Sequence, residues 1–441
     1  MSGALVAGAA AADVSPTTPQ FLYGYPHVKR ISTGVHDPLL SSALYLYDGQ
    51  TPLLLVSSDV IFISKESAAR TRRQIERVTG VPADHIMVTA THTHSGPITA
   101  DMISNEADAT IPKMDREYVL HLEKGIVEAA TRAHRQARPA EAGLAVADGS
   151  CVGGNRHDPA GSSNPRVPVL VVRDRQTQDH VAAMVVCYMH PTVLHEDSTL
   201  VSGDFPAMTR HYVQQHVLGL HCPLIWHTGP CGDQSPRHVA RANTFEEAAR
   251  LGTLLGESIA RAIRSVQYAS DVPLAAGKSL VHLPLRRLPT VEQARRGVDH
   301  ASQRLARLRP SGAARGDVRT AECDLFGAEE TLTLASAAAS GRLATVAGSV
   351  MPAEIVAMHI GRWTFVGWPG EAYVEFALAV QARRPNCFVI SLANGELQGY
   401  LVTEEAVRQC RYEALNAVFA SPESGNLLVG KTLELLAAGD N

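Results

Sequence analysis

The sequence predicts an α/β fold of mixed β-sheets flanked by α-helices, and three observations carry that expectation. Short apolar runs alternate with segments whose apolar residues recur every three or four positions. Glycine (34) and proline (25) punctuate the changes from one pattern to the other. The composition, 45% hydrophobic and 19% charged, is that of a folded chain and rules out disorder and a coiled coil.

The elements follow in order. Leu5 to Val14 is predicted as a first strand, Leu53 to Ile63 as the next, and Glu66 to Val78 as a helix stopped by Gly80. Ile86 to Thr91 reads as a strand ending in a loop. Tyr118, Leu122, Ile126 and Ala130 mark an amphipathic helix from about Arg116 to Gln136. Strands are expected at Val167 to Val172, Val181 to Tyr188 and Leu224 to His227, then a helix at Phe245 to Val266 with Leu251, Leu255, Ile259 and Ile263 on one face.

From Pro289 to Arg319 the composition shifts to Arg, Ala and Gly, with Gln293 to Leu308 helical and Arg309 to Gly316 a flexible loop. Strand patterns resume at Thr331 to Ala335 and Val356 to Gly367. A helix at Gly370 to Arg383, a strand at Phe388 to Leu392 and a helix at Thr403 to Phe419, N-capped by Thr403, complete the chain. No internal repeat is visible. The expected organisation is one domain over residues 1–425, with an excursion at about 286–325, and a C-terminal tail at 426–441.

Charge and cysteine usage narrow the function. The net charge is −4 and the basic residues form no stripe, so nucleic acid is not expected as a partner. No apolar run approaches the ~18–20 residues of a membrane span, so no integral membrane segment is expected. The alanine-rich start has no basic residue before Lys29, unlike an export signal. Seven cysteines, an odd number without a C-x-x-C pair, fit reduced thiols, and a cytoplasmic location is expected.

Histidines crowd two regions, with three between His85 and His94 and seven between His190 and His238. In Thr91-His92-Thr93-His94-Ser95-Gly96-Pro97, strand alternation places His92 and His94 on one face. Both could ligate one metal, or one could ligate while the other acts beside it. Two hydrogen-bonded histidines at a strand end are the plain alternative. His190 ends a second apolar run before Pro191, and His195 is a rival ligand that spacing does not exclude. Gly229-Pro230-Cys231-Gly232-Asp233-Gln234-Ser235-Pro236 follows the strand ending at His227; its Ser235 hydroxyl and amides could face a ligand, and it lacks the glycine symmetry of a serine-hydrolase elbow. In Gly367-Trp368-Pro369-Gly370-Glu371, Glu371 is expected in the first turn of a helix, where a capping carboxylate is also ordinary. Tyr400 and Tyr412 could equally be core tyrosines.

Taken in order, His92-Thr93-His94-Ser95-Gly96-Pro97, Asn155-Arg156, His190-Pro191-Thr192, Gly232-Asp233-Gln234-Ser235-Pro236, Pro369-Gly370-Glu371, and Tyr400-Leu401-Val402-Thr403 with the later Arg411-Tyr412-Glu413 resemble the catalytic domain of the neutral (alkaline, non-lysosomal) ceramidases. The resemblance runs from about Leu5 through Phe419. It implies one zinc ion held by His92, His190, Glu371 and Tyr400 with a water as the remaining ligand, and His94 close by. It also implies Ser235, Tyr412 and Arg156 around the scissile carbonyl. The activity implied is zinc-dependent cleavage of a linear amide of the N-acyl amine type by the zinc-bound water. An ester or lactone hydrolase, or a non-catalytic metabolite-binding protein of the same fold, is the alternative; an amidohydrolase barrel fits poorly, because its H-x-H follows the first strand.

Family members are usually longer, secreted or membrane-associated, with an extra C-terminal β-rich domain. The expectation here is therefore a cytoplasmic enzyme acting on a small-molecule amide, with ceramide a poor substrate. Neither the acyl group nor the oligomeric state is legible.

Overall fold

The computed structural model describes residues 4–439. Eight strands form the first sheet: β1 (Val6–Asp13), β2 (Leu40–Tyr47), β3 (Pro52–Ser58), β4 (Ile86–Ala90), β5 (Arg138–Asp148), β6 (Arg166–Asp174), β7 (His180–Cys187) and β8 (Leu224–Thr228). Their spatial order is β8-β7-β6-β5-β1-β2-β3-β4. A second sheet holds β9 (Leu274–Val281), β10 (Ala353–Ile360), β11 (Trp363–Gly367) and β12 (Cys387–Ile390), in that order.

One unit recurs. Strands β1, β2 and β3 pair antiparallel, and β4 then joins β3 in parallel after the crossover helix α1 (Lys65–Thr79). Helix α2 (Arg116–Arg135) follows and packs on α1. Strands β5 to β8 repeat this pairing with α3 (Asp204–Val213) in the crossover and α4 (Phe245–Arg264) after it. The second sheet repeats it again, but three helices, α5 (Val291–Leu308), α6 (Arg315–Ala339) and α7 (Arg342–Val350), are inserted between β9 and β10. Its crossover helix is α8 (Val374–Arg383). Short helices α9 (Glu404–Arg408) and α10 (Tyr412–Leu415) precede α11 (Pro422–Ala438), which packs on α8. The expectation of no internal repeat is thus corrected at the level of topology: apolar core positions accept many side chains, so the repeat persists in pairing and not in sequence.

Strand alternation sorts the core into layers. Ala10, Val56 and Val88 face α1 and α2, Val169 and Val185 face α4, and Leu55, Met87 and Met184 on the opposite faces join the apolar cluster of the second sheet. Helix α4 buries Leu251, Leu255, Ile259 and Ile263, each contributing roughly 1.5–3 kcal/mol of hydrophobic stabilisation. Local capping sets the ends: Ser64 accepts from Ser67 N, Asp115 from Glu117 N, and Gly80 closes α1 at φ 76°. Among the described residues no helix is long and apolar enough to cross a membrane.

Several expected elements differ. Thr331–Ala335 is not a strand but part of α6, where the helix's own backbone bonds replace a ladder partner and the Thr333 and Ser336 hydroxyls donate back to the carbonyls four residues earlier. The expected tail at 426–441 is largely α11, whose apolar positions cover the second sheet. The expected helix at 403–419 breaks at Cys410 (φ 50°) into α9 and α10. The strand expected at Leu53 to Ile63 ends at Ser58 as β3, and β2 was not anticipated.

Candidate metal centre and active site

The histidines sit where strands run out. β4 ends at Ala90, so His92 and His94 lie in the loop beyond it, and strand alternation is not what aligns them. His92 instead adopts φ 70°, a conformation costing on the order of 1–3 kcal/mol for a non-glycine residue. Its backbone N–H donates to Val60 O (2.9 Å) and its Nδ1–H to Ile61 O (3.0 Å), which fastens the loop after β4 to the loop after β3.

His190 leaves β7 in the second unit. Its Nδ1–H donates to Cys231 O (2.7 Å) and Gln234 O (3.0 Å), so the glycine-rich loop after β8 serves to orient it. His195 is half-exposed and ring-packed on Tyr25, and it is His190 that clusters with His92 and His94.

Glu371 was expected in a helical turn. It lies instead in a two-residue strand, Glu371–Ala372, paired in parallel with Tyr400–Leu401, and α8 begins only at Val374. Gly370 at φ 73° makes the reversal, and the pairing partner 29 residues away is invisible to local pattern. The register sets Glu371 beside Tyr400.

Carbonyl oxygens only accept, so both rings carry their protons on Nδ1, and in neutral imidazoles both Nε2 atoms are bare. These face each other at 3.1 Å. Glu371 Oε2 lies 3.0 Å from His92 Nε2 and 3.2 Å from His190 Nε2. Three electron-pair donors therefore meet, all buried, with no hydrogen-bond partner for that carboxylate oxygen. A tetrahedron of ~2.0–2.1 Å bonds has edges of ~3.3–3.4 Å, so the donor spacing and the nitrogen and oxygen chemistry both fit a zinc-sized cation. The backbone carbonyls on Nδ1 are the outer contacts such ligands normally make.

His94 Nε2 is 3.4 Å from His92 Nε2, and His92, His94 and His190 form a group able to hold a metal ion. His94 Nδ1 is buried without a hydrogen-bond partner. Burial, reinforced by His92 and His190, holds its pKa well below the usual histidine value. Gly24, at φ 126°, passes so close that a Cβ there would lie 2.5 Å from this nitrogen.

His92, His94 and Glu371 border a pocket of about 60 Å³ that also takes in Tyr23, Phe62, Met102, Tyr400 and Tyr412. Tyr412 O–H donates to Glu330 Oε1 (3.3 Å). Arg156 lies behind Tyr400, its guanidinium 5.7 Å from the ring centroid and ion-paired to Glu413, which also accepts from Tyr373 O–H (3.0 Å). Burial pushes the Tyr400 phenol upward, aggravated by Glu371 and opposed by Arg156. Ser235 pairs with Gly154, and its hydroxyl accepts from Arg237 N (3.3 Å); it does not border the pocket. The structure therefore gathers His92, His94, His190, Glu371, Tyr400 and Tyr412, keeps Arg156 one residue removed, and leaves Ser235 outside.

Sequence reasoning missed Glu413, Glu330, Asn105 and Tyr23. Glu413 stood inside the Arg-Tyr-Glu motif, and a buried arginine nearby would have asked for it. Glu330 carried no signal, because its segment read as the approach to a strand.

Residues 5–222 match the family model of neutral/alkaline non-lysosomal ceramidase, N-terminal. In fold the chain is similar to neutral ceramidase from Pseudomonas aeruginosa, with a TM-score of 0.76 at 17% identity over 99% of this chain and 74% of that one. It is likewise similar to a ceramidase complexed with C2, with a TM-score of 0.73 at 15% identity over 98% of this chain and 74% of that one. No curated protein matches the sequence. The resemblance is thus shown by the family model over residues 5–222, and beyond them the likeness is one of fold.

Proposed function

We propose that this chain is a zinc-dependent hydrolase that cleaves a linear amide bond of the N-acyl amine type. The observation that carries the reading is the closed triangle of His92 Nε2, His190 Nε2 and Glu371 Oε2, bare of protons and opening on the pocket that Tyr400 and Tyr412 border. His92, His190, Glu371 and Tyr400 would hold the ion. When bound, zinc supplies Lewis acidity and lowers the pKa of a water toward ~7.

The chain's own groups do the rest. His94, kept neutral by burial, is free to accept a proton at the pocket wall and return it to the leaving amine. Tyr412 O–H, which rests on Glu330 Oε1 (3.3 Å), would turn from that weak bond toward the carbonyl oxygen as charge develops there. Arg156, anchored by Glu413, holds the Tyr400 phenol in place and favours its ionised form. Phe62, Met102 and Ile111 keep bulk water from the pocket and favour an apolar segment next to the amide. Ser235 is retained as a substrate contact on the strength of the family motif. Seven free cysteines support a reducing compartment such as the cytoplasm.

The test is a zinc determination coupled to a screen of N-acyl amines, N-acyl amino acids, esters and lactones. Amide turnover that disappears on chelation and returns with zinc is expected; turnover confined to esters or lactones, or undiminished by chelation, rejects the reading.

A further inference from the structure

Next to the metal pocket lies a cavity of about 520 Å³, within the size range of small-molecule sites. The two share Ser104, Asn105 and Glu330, so Glu330 stands at their junction. Its Oε1 accepts from Asn105 Nδ2 (2.7 Å) and from Tyr412 O–H (3.3 Å). Its Oε2 is buried and has no hydrogen-bond partner, although the residue is only 4% exposed. A buried carboxyl oxygen without a donor either holds a proton itself or takes one donated by a ligand.

The walls say what kind of donor. Glu106, Asp108 and Glu329 border the same cavity, against Arg342 and His27. Arg342 is ion-paired to Glu106, and His27 lies between Asp108 and Glu329 (3.5 and 2.9 Å), so both basic side chains are engaged by carboxylates other than Glu330. Across the cavity lining four carboxyl groups, Glu106, Asp108, Glu329 and Glu330, stand against Arg342 and His27. Ala107, Val298 and Leu332 supply an apolar wall for an alkyl stem.

We infer that this cavity takes a cationic arm of the substrate, an alkylammonium group, and that Glu330 Oε2 is the atom that reads it. The inference rests on the amide-hydrolase reading and narrows its substrate class from N-acyl amines in general to those bearing a second, charged amine. Burial, with Asp108 and Glu329 nearby, pushes the Glu330 carboxyl up to about 8, a condition an incoming cation relieves.

Matched amides test it, with a terminal ammonium or the isosteric methyl placed in turn on the amine arm (N-acetyl-1,4-diaminobutane against N-pentylacetamide) and on the acyl arm. Zinc-loaded enzyme is expected to favour the ammonium member of one pair by at least about tenfold in kcat/KM. Glu330→Gln should bring that ratio near one, and Glu329→Gln, at a half-exposed position, should narrow it less. Calorimetry of 1,4-diaminobutane on chelator-treated protein reads the same site without turnover, with binding expected in wild type and lost in Glu330→Gln. Absence of all amide turnover with diamine binding intact sinks the hydrolase reading alone. Equal rates within both pairs, a ratio unchanged by Glu330→Gln, or no diamine binding overturns the inference.

Discussion

The Nε2 atoms of His92 and His190 face each other at 3.1 Å, each ring pinned through its Nδ1–H to a backbone carbonyl. The two residues come from different topological units, one after β4 and one just beyond β7, and neither can turn its proton toward the other without losing a carbonyl. The pair is built to share a cation.

Purified protein should therefore contain about one zinc per chain and gain stability from it, by ~2.7 kcal/mol at a hundredfold excess over Kd. His92→Ala and His190→Ala should stay folded and lose the zinc-induced rise in Tm. A variant that keeps a full complement of zinc removes that residue from the ligand set.

Tyr412→Phe and His94→Ala should retain zinc yet lower kcat and kcat/KM together, by roughly a hundredfold for an oxyanion donor. Ser235→Ala is expected to do the same if its hydroxyl reaches the substrate. Metal analysis beside steady-state kinetics decides each case; an unchanged kcat in Ser235→Ala would confine that residue to capping the turn before Arg237.

Glu413 is buried against Arg156, His157 and Tyr373. Glu413→Gln leaves Arg156 without its anion and should destabilise the fold by roughly 3 kcal/mol or more. Urea titrations of Glu413→Gln, Arg156→Gln and the double variant should show the double well short of the sum. Additive losses would mean the two residues act apart.

The Glu330 carboxyl ionises at about 8 in the folded chain against an ordinary 4.5. Between those values the folded state keeps a proton that the unfolded state has released, so stability falls as pH rises through the window and levels off above pH ~8. The swing is at most ~5 kcal/mol at 1.36 kcal/mol per unit. Glu330→Gln should flatten the dependence of Tm on pH between 5 and 9 and gain on wild type at the alkaline end. Parallel curves for the two proteins contradict it.

Local chemistry made much of this protein readable before any coordinates. Gly80 stops α1 because only a left-handed residue fits there, Thr403 caps α9, and the four-residue rhythm from Tyr118 to Ala130 fixes the buried face of α2. The motifs around His92, His190, Glu371, Tyr400 and Tyr412 marked chemistry because histidine, carboxylate and phenol rarely fall at element ends by packing need alone. What failed were inferences that assumed a neighbour: Glu371 looked like a helix cap until Tyr400 paired with it, and Thr331–Ala335 looked like a strand though nothing lay beside it to pair.

The sequence by itself determined the fold class, most helix ends and which residue types could bind metal, since those depend on propensity, periodicity and ligand chemistry within a few residues. Only the tertiary structure decided that His190 and not His195 meets His92, that Glu413 anchors Arg156, that Ser235 is not among the residues bordering the pocket, and that Glu330 stands between two cavities. The reason is physical. Those facts are distances between segments far apart in the chain, set by how three like units pack, and no local spacing encodes them.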